Sequence, residues 1–318
     1  MSERNIEQEQ LRVKENTNNS ALVELFQSAV YIYEIFKKER TKIVFTTLIF
    51  ASFSILYALN IPNVYRSEAT LISNSVDPSE GGQVSALASI AGIDSGNSRV
   101  DDSTLALAMF ESRDFVKSLL KKHNLSLPLI TLAGWDAKDN TDIYSSAYDF
   151  NKEIWLEDKP TDGEIYQKFI GLAKFTKVPD KPIYLLSVES LSPNFAKLLA
   201  NKIVEEINDS VRILRSEEAS KNIKYLENQL LKSSSKDMKE TLHSLIFEQT
   251  KELMMAEVRS EFVFKVIDSP LAPEKKFYPT RSLICIIITL FGFFLAISYF
   301  LVKHFYNEGL KQTNDPVT

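Results

Sequence analysis

Two uncharged apolar runs bracket almost all of this chain, Ile43 to Ile61 (IVFTTLIFASFSILYALNI) and Leu283 to Val302 (LICIIITLFGFFLAISYFLV). An α-helix rises about 1.5 Å per residue, so runs of about 20 residues are long enough to cross roughly 30 Å of hydrocarbon. The chain is therefore expected to be a two-span membrane protein with one large loop. A cleaved leader is the competing reading of the first run. Against it, 42 residues come first, and Asn60, Ile61, Pro62 and Asn63 follow where small residues would mark a cleavage site. Lys37, Lys38, Arg40 and Lys42 precede the first run and only Arg66 follows closely, which assigns the amino terminus to the cytoplasm. The charges around the second run are ambiguous, but an even number of spans returns the carboxyl terminus to the same side.

The expected division is a cytoplasmic segment 1–42, a span 43–61, an exported domain 62–281, a second span 283–302 and a cytoplasmic tail 303–318. Net charge is −5, from 37 Lys and Arg against 42 Asp and Glu, so nothing here attracts nucleic acid. The one cysteine, Cys285, lies inside the second span, leaving the loop to be held by its core rather than by disulfides. Catalytic patterns are absent. His123, His243 and His304 are far apart without metal-ligand spacing, and neither a phosphate-binding glycine loop nor a nucleophile elbow occurs. No metal, cofactor or catalytic residue is assigned.

Within the loop, Tyr65–Ile72, Ile183–Glu189 and Phe262–Ile267 are short, β-branched and aromatic, and read as strands. The first and last each adjoin a span and are expected to pair. A small-residue helix is expected over Val84–Ala91, one longer helix over Ser103–His123 ending at Asn124, and another near Ile165–Phe175. Pro128–Pro182 otherwise has no clear period. Ser192 and Pro193 open a helix, since serine caps free N–H groups and proline suits the first turn. Apolar positions then recur through Leu199, Ile203, Ile207, Val211 and Leu214 to Leu231, and a return helix runs to about Arg259. The expected fold is α+β, with a base (62–191 and 260–281) and a long protruding helical hairpin (192–259). The narrow stripe on that hairpin, Ile207 and Val211 in particular, is the candidate contact between subunits.

Two further features are candidates for contact. Trp135 beside Asp136 suits a sugar, with an aromatic face for stacking and a carboxylate for hydroxyls, although a buried structural tryptophan is the commoner use. Gly292 with Ala296, and Thr47 with Ala51, put small residues on one helix face where another span can approach closely.

Five segments together resemble one family. They are VYRSEATLI (Val64–Ile72), SALASIAGI (Ser85–Ile93), ESRDF (Glu111–Phe115), GWD ending at Asp136, and FEQTKELMMAEVRSEFVFKVIDSPLAPEKKFYPTR (Phe247–Arg281) leading into the second span. They are similar to the polysaccharide co-polymerases, the Wzz-type chain-length determinants of O-antigen. The resemblance covers about Glu24 to Val302. It implies a non-enzymatic homo-oligomer of the Gram-negative inner membrane with a periplasmic domain. Such a protein acts beside a membrane polysaccharide polymerase on lipid-linked glycan to set its modal length, and Gly292 would offer the polymerase a close helix approach. No kinase is expected after the second span. A two-span sensor or export adaptor is the alternative.

Overall fold

The computed structural model describes residues 40–74 and 101–314. In chain order these begin with α1 (Arg40–Asn60), β1 (Tyr65–Ser73), α2 (Asp102–Phe110), α3 (Arg113–Lys122) and α4 (Ser126–Thr131). Two small antiparallel hairpins follow: β2 (Leu132–Asp136) with β3 (Thr141–Tyr144), then β4 (Tyr148–Asp149) with β5 (Ile154–Trp155). The chain continues through α5 (Asp162–Leu172), β6 (Ala173–Lys177) and β7 (Ile183–Ser190) into α6 (Pro193–Lys232) and α7 (Lys236–Val258). It closes with β8 (Phe264–Asp268) and α8 (Arg281–Asn314). The chain separates into two units, one of Asn63–Tyr278 and one holding α1 and α8.

The larger unit is built on a four-stranded antiparallel sheet in the order β6-β7-β1-β8. Side chains alternate along β1, burying Tyr65, Ser67, Ala69 and Leu71, and β7 answers with Tyr184, Leu186, Val188 and Ser190. Leu71 lies opposite Tyr184 on one side and Val266 on the other, so the strands beginning and ending the unit are neighbours, as expected. The backbone reinforces this closure, since Val64 N–H donates to the Tyr278 carbonyl at 2.8 Å and Tyr278 N–H returns to Val64 at 3.2 Å. Helices cover the apolar face. Phe110, Phe169, Phe175, Tyr184 and Phe264 meet ring to ring there, with centroids 4.7–6.1 Å apart.

The structure corrects the helix expected over Ser103–His123. It is two helices, because Ser112 leaves the helical path and its side chain accepts the Phe115 N–H at 3.1 Å, capping a new start. Asn124 does end α3, in a left-handed conformation with φ 55°. The helix expected to reach Phe175 stops at Leu172. It starts in a capping box of Thr161 and Glu164, and Phe175 lies on β6 instead. The helix expected over Val84–Ala91 lies outside the described residues.

Ser192 caps α6 by accepting the Phe195 N–H, with Pro193 in the first turn, and the helix runs unbroken for 40 residues. At about 1.5 Å per residue that is roughly 60 Å. Three residues, Ser233–Ser235, turn the chain into α7. The two helices run antiparallel, with Asn222 beside Gln249 at 3.0 Å and a seam of Leu226, Leu242 and Leu245. The base and the hairpin share α6 rather than meeting at its start. From Phe195 to Val211 the inward face of α6 belongs to the core of the sheet domain, and the separate seam is centred on Leu226.

In the other unit, α1 and the Arg281–Lys303 part of α8 are long and apolar enough to cross a membrane. Most of their large side chains are uncovered, among them Phe45, Leu48, Ile287 and Phe291. Helical hydroxyls turn inward onto their own backbone, Thr47 to Ile43 at 2.9 Å and Ser54 to Ala51 at 2.7 Å, as a span requires where water is absent.

Replacing Ile207 and Val211 together with Asp is expected to unfold the sheet domain rather than to split an assembly of folded subunits. Two unpaired carboxylates would then lie in a fully buried core. Loss of the cooperative thermal transition in detergent would show it; a folded, smaller species would contradict it.

Candidate functional site

Ile207 and Val211, expected at a subunit contact, are fully buried in their own chain among Leu199, Ile203 and Phe264. In this chain that stretch of the α6 stripe packs into the core of the sheet domain. Trp135 sits half-buried on β2, its ring edge-on to Tyr65 at 5.3 Å and its indole N–H donating to Asn140 Oδ1 at 3.1 Å. Asp136 accepts the Lys138 N–H at 2.8 Å and shapes the β2–β3 turn. Both side chains thus have local structural work.

Gly292 does mark a close helix approach, but the helix it meets is α1 of the same chain. A Cβ added there would fall within 3 Å of three Phe50 side-chain atoms. Ala296 is buried, and two turns before Gly292 on α8, Cys285 Sγ lies 3.8 Å from the Ser54 carbonyl of α1. Thr47 and Ala51 are partly buried. The close approach that Gly292 permits is thus taken up by Phe50.

What sequence reading missed is a line of polar side chains on the buried face of α6. Asn208 spends its whole amide there: Oδ1 accepts the N–H groups of Val263 and Phe264 at 2.8 and 2.9 Å, while Nδ2 donates to the carbonyls of Phe264 and Val204. A buried amide so saturated fixes the β8 end of the chain against α6. Two turns on, Arg215 donates to Asp102 at 2.7 Å and Glu218 at 2.8 Å, tying the first turn of α2 to α6. Burial alone would lower its pKa, but the hydrogen bonds it donates to Glu218 and Asp102 outweigh that and hold the guanidinium above its ordinary value. On an adjacent face, buried Glu206 accepts from Lys122 Nζ at 2.7 Å, with His123 Nε2 at 3.2 Å. The available signal was Asn208 and Arg215 falling at i+4 and i+11 from Val204, on the same spacing as Val211, polar residues at core positions of a helix.

The edge where the chain leaves and re-joins the sheet carries Arg66. It donates to Glu189 at 2.5 Å, and its guanidinium lies 3.3 Å over the Phe277 ring. Away from this edge, α7 presents Phe247, Met254 and Val258 at i, i+7 and i+11, on one uncovered stripe; Phe247 is 68% and Val258 83% exposed. Leu231 at the tip of α6 is 85% exposed. These side chains are not part of the Leu226 seam. Among the described residues no cluster of His, Cys, Asp and Glu could hold a metal ion.

No family model matches the chain, and no curated protein sequence matches it. Among solved structures it is similar to a full-length bacterial polysaccharide co-polymerase, at 12% identity and a TM-score of 0.35, over 89% of this chain and 98% of that one. It is also similar to a fragment of WzzB, a polysaccharide co-polymerase from Salmonella Typhimurium, at 17% identity and a TM-score of 0.29 over 68% of this chain and 100% of that one. Both are described as polysaccharide co-polymerases, the family that the five sequence segments resemble.

Two outcomes follow from these contacts. Gly292→Leu is expected to force α1 and α8 apart, and Phe50→Ala in the same chain to relieve it. Cross-linking between cysteines placed on the two helices should fall in the first variant and recover in the second. Lys122 is held above its ordinary pKa, chiefly by its hydrogen bond to Glu206, with burial opposing. A raised folded pKa means the stabilisation is complete below the unfolded value, about 10.4, and is lost as pH rises through the folded one. The stability difference between the wild type and Lys122→Met should therefore be constant at neutral pH and shrink above about pH 10.4.

Proposed function

We propose that this protein is a non-catalytic regulator of the modal chain length of lipid-linked surface polysaccharide, O-antigen, in the inner membrane of a Gram-negative bacterium. Both termini lie in the cytoplasm and residues 62–281 in the periplasm. Copies of the chain assemble into a scaffold beside a membrane polysaccharide polymerase. The observation that carries this reading is the α6–α7 pair, a long helical hairpin rooted in a sheet whose first and last strands lead to two apolar helices. The pair satisfies its own seam yet leaves the Phe247–Val258 stripe uncovered. A second copy of the chain is the cover proposed for that stripe, in place of the buried Ile207 and Val211. The five family-like segments support the glycan part of the reading.

The physical need for such a scaffold is simple. A polymerase that releases its product with equal probability after every addition gives a distribution that decays steadily with length. A peak requires the release odds to change as the chain grows. A tall assembly can change them by holding polymerase or polymer in a geometry that depends on length. No group in this protein has to react with the glycan for that to happen.

Deleting the gene should leave polymer on a glycan gel but remove its modal band. Complete loss of polymer would point to catalysis, and an unaltered ladder would favour the sensor or export adaptor. Phe247→Asp with Met254→Asp should shift the detergent-solubilised protein to smaller species by light scattering and broaden the ladder. Each buried apolar side chain contributes about 1.5–3 kcal/mol to an interface of this kind. An unchanged mass would remove this stripe from the assembly.

A further inference from the structure

The two small hairpins between Leu132 and Trp155 carry a feature that length control by scaffolding does not use. Tyr144 of β3 meets Phe150, Phe150 meets Tyr148 of β4, and Tyr148 meets its cross-strand partner Trp155 of β5, each pair of ring centroids being 5.1 Å apart. Interplanar angles of 52°, 79° and 68° make this a stepped run of rings rather than a flat stack. None of the four belongs to the core of the sheet domain. Phe150 is 48% and Tyr144 38% exposed, and neighbouring Leu156 is more exposed still. Packing inside the domain therefore does not account for the run. Tyr148 and Trp155 are half-buried beside them, and exposed rings joined in one run on a folded domain suit a binding partner.

Charge narrows what that is. From Thr141 to Asp158 the chain carries five carboxylates and one lysine, Lys152. Two of the carboxylates stand among the rings. Burial first, and then the Asp142 carboxylate beside it, hold the Tyr144 hydroxyl above its ordinary pKa. Asp149 lies between Tyr148 and Phe150 in sequence, and its Oδ1 accepts the N–H groups of Asn151 and Lys152 at 2.9 and 3.2 Å. A phosphate-rich bilayer surface, a nucleic acid, or the same face of a second copy would meet like charge here. An uncharged polyhydroxylated chain meets none. Its C–H faces stack on aromatic rings and its hydroxyls donate to carboxylates and tyrosine oxygens. Four rings in line suit successive units of a polymer better than one isolated sugar.

We infer that the Tyr144–Phe150–Tyr148–Trp155 run is a glycan-binding platform that takes several consecutive sugar units of a polysaccharide. The inference rests on the proposed function for the presence of such a polymer, and adds direct contact with it at a defined place. It also moves the sugar contact from Trp135 and Asp136, which are engaged locally, to the neighbouring hairpin.

The test uses the full-length protein in lipid nanodiscs and, as probe, polysaccharide released by mild acid from the source cell's lipid-linked glycan. Phe150→Ala should weaken binding about tenfold or more, the scale of one good aromatic contact, while Phe150→Tyr retains it. Melting temperature and mass are recorded for each variant, and Tyr144→Ser is the second substitution if Phe150→Ala does not fold. Unchanged affinity in a folded variant overturns the inference. Absence of wild-type binding does so too, as does a change of assembly mass that accounts for the lost binding. Loss of the modal band on gene deletion without any glycan binding would sink the platform and leave the proposed function standing. Binding with an unaltered ladder would do the reverse.

Discussion

Burial of the first half of α6 against the four-stranded sheet is the interaction on which the rest depends. Leu199, Ile203, Ile207 and Val211 are fully buried there, and α2, α3 and β8 are fastened to the same helix by Arg215, Glu206 and Asn208. The helix then continues without interruption into the pair with α7. A kink or break in α6 would separate the two, but no proline or glycine occurs after its first residue. The orientation of the helix pair relative to the sheet is therefore fixed by a continuous backbone rather than by a linker.

Closure of the chain is the second constraint. β1 and β8 are distant in sequence, and bringing distant segments together costs loop-closure entropy that grows only slowly with length. The sheet register, the Val64–Tyr278 bridge and the Asn208 clamp on Val263 and Phe264 are the compensating contacts. Asn208 illustrates why a polar residue belongs in such a core. The last strand is short, and a side chain that donates and accepts at once specifies its position more narrowly than an apolar one. Arg66, between Glu189 and the Phe277 ring, performs a similar service at the Val64 end of β1.

The surface divides by chemistry. The uncovered stripe on α7 is aliphatic and aromatic at helical spacing, suited to a second helix, whereas the aromatic run on the small hairpins is stepped and set among carboxylates. One face is proposed to build the assembly and the other to touch its polymer. Their separation on different elements means that each can be altered without the other.

Several elements were legible from the sequence because their causes are local. Length without charge marks α1 and α8, Ser192 with Pro193 starts α6, and β-branched alternation marks β1, β7 and β8. Ser112 was equally local, but its cap is recognised only once the chain is seen to turn there. What tertiary structure decided was which neighbour each face meets. Ile207 and Val211 read the same in sequence whether a sheet or a second subunit covers them, since helical spacing identifies a buried face but not its partner. Gly292 signals close approach without saying that Phe50 of the same chain approaches. The aromatic run has no period at all: Tyr144, Tyr148, Phe150 and Trp155 line up only through the pairing of β4 with β5 and the turns around them. Periodicity encodes the environment of a side chain, whereas its partner is set by contacts between segments that only the folded chain brings together.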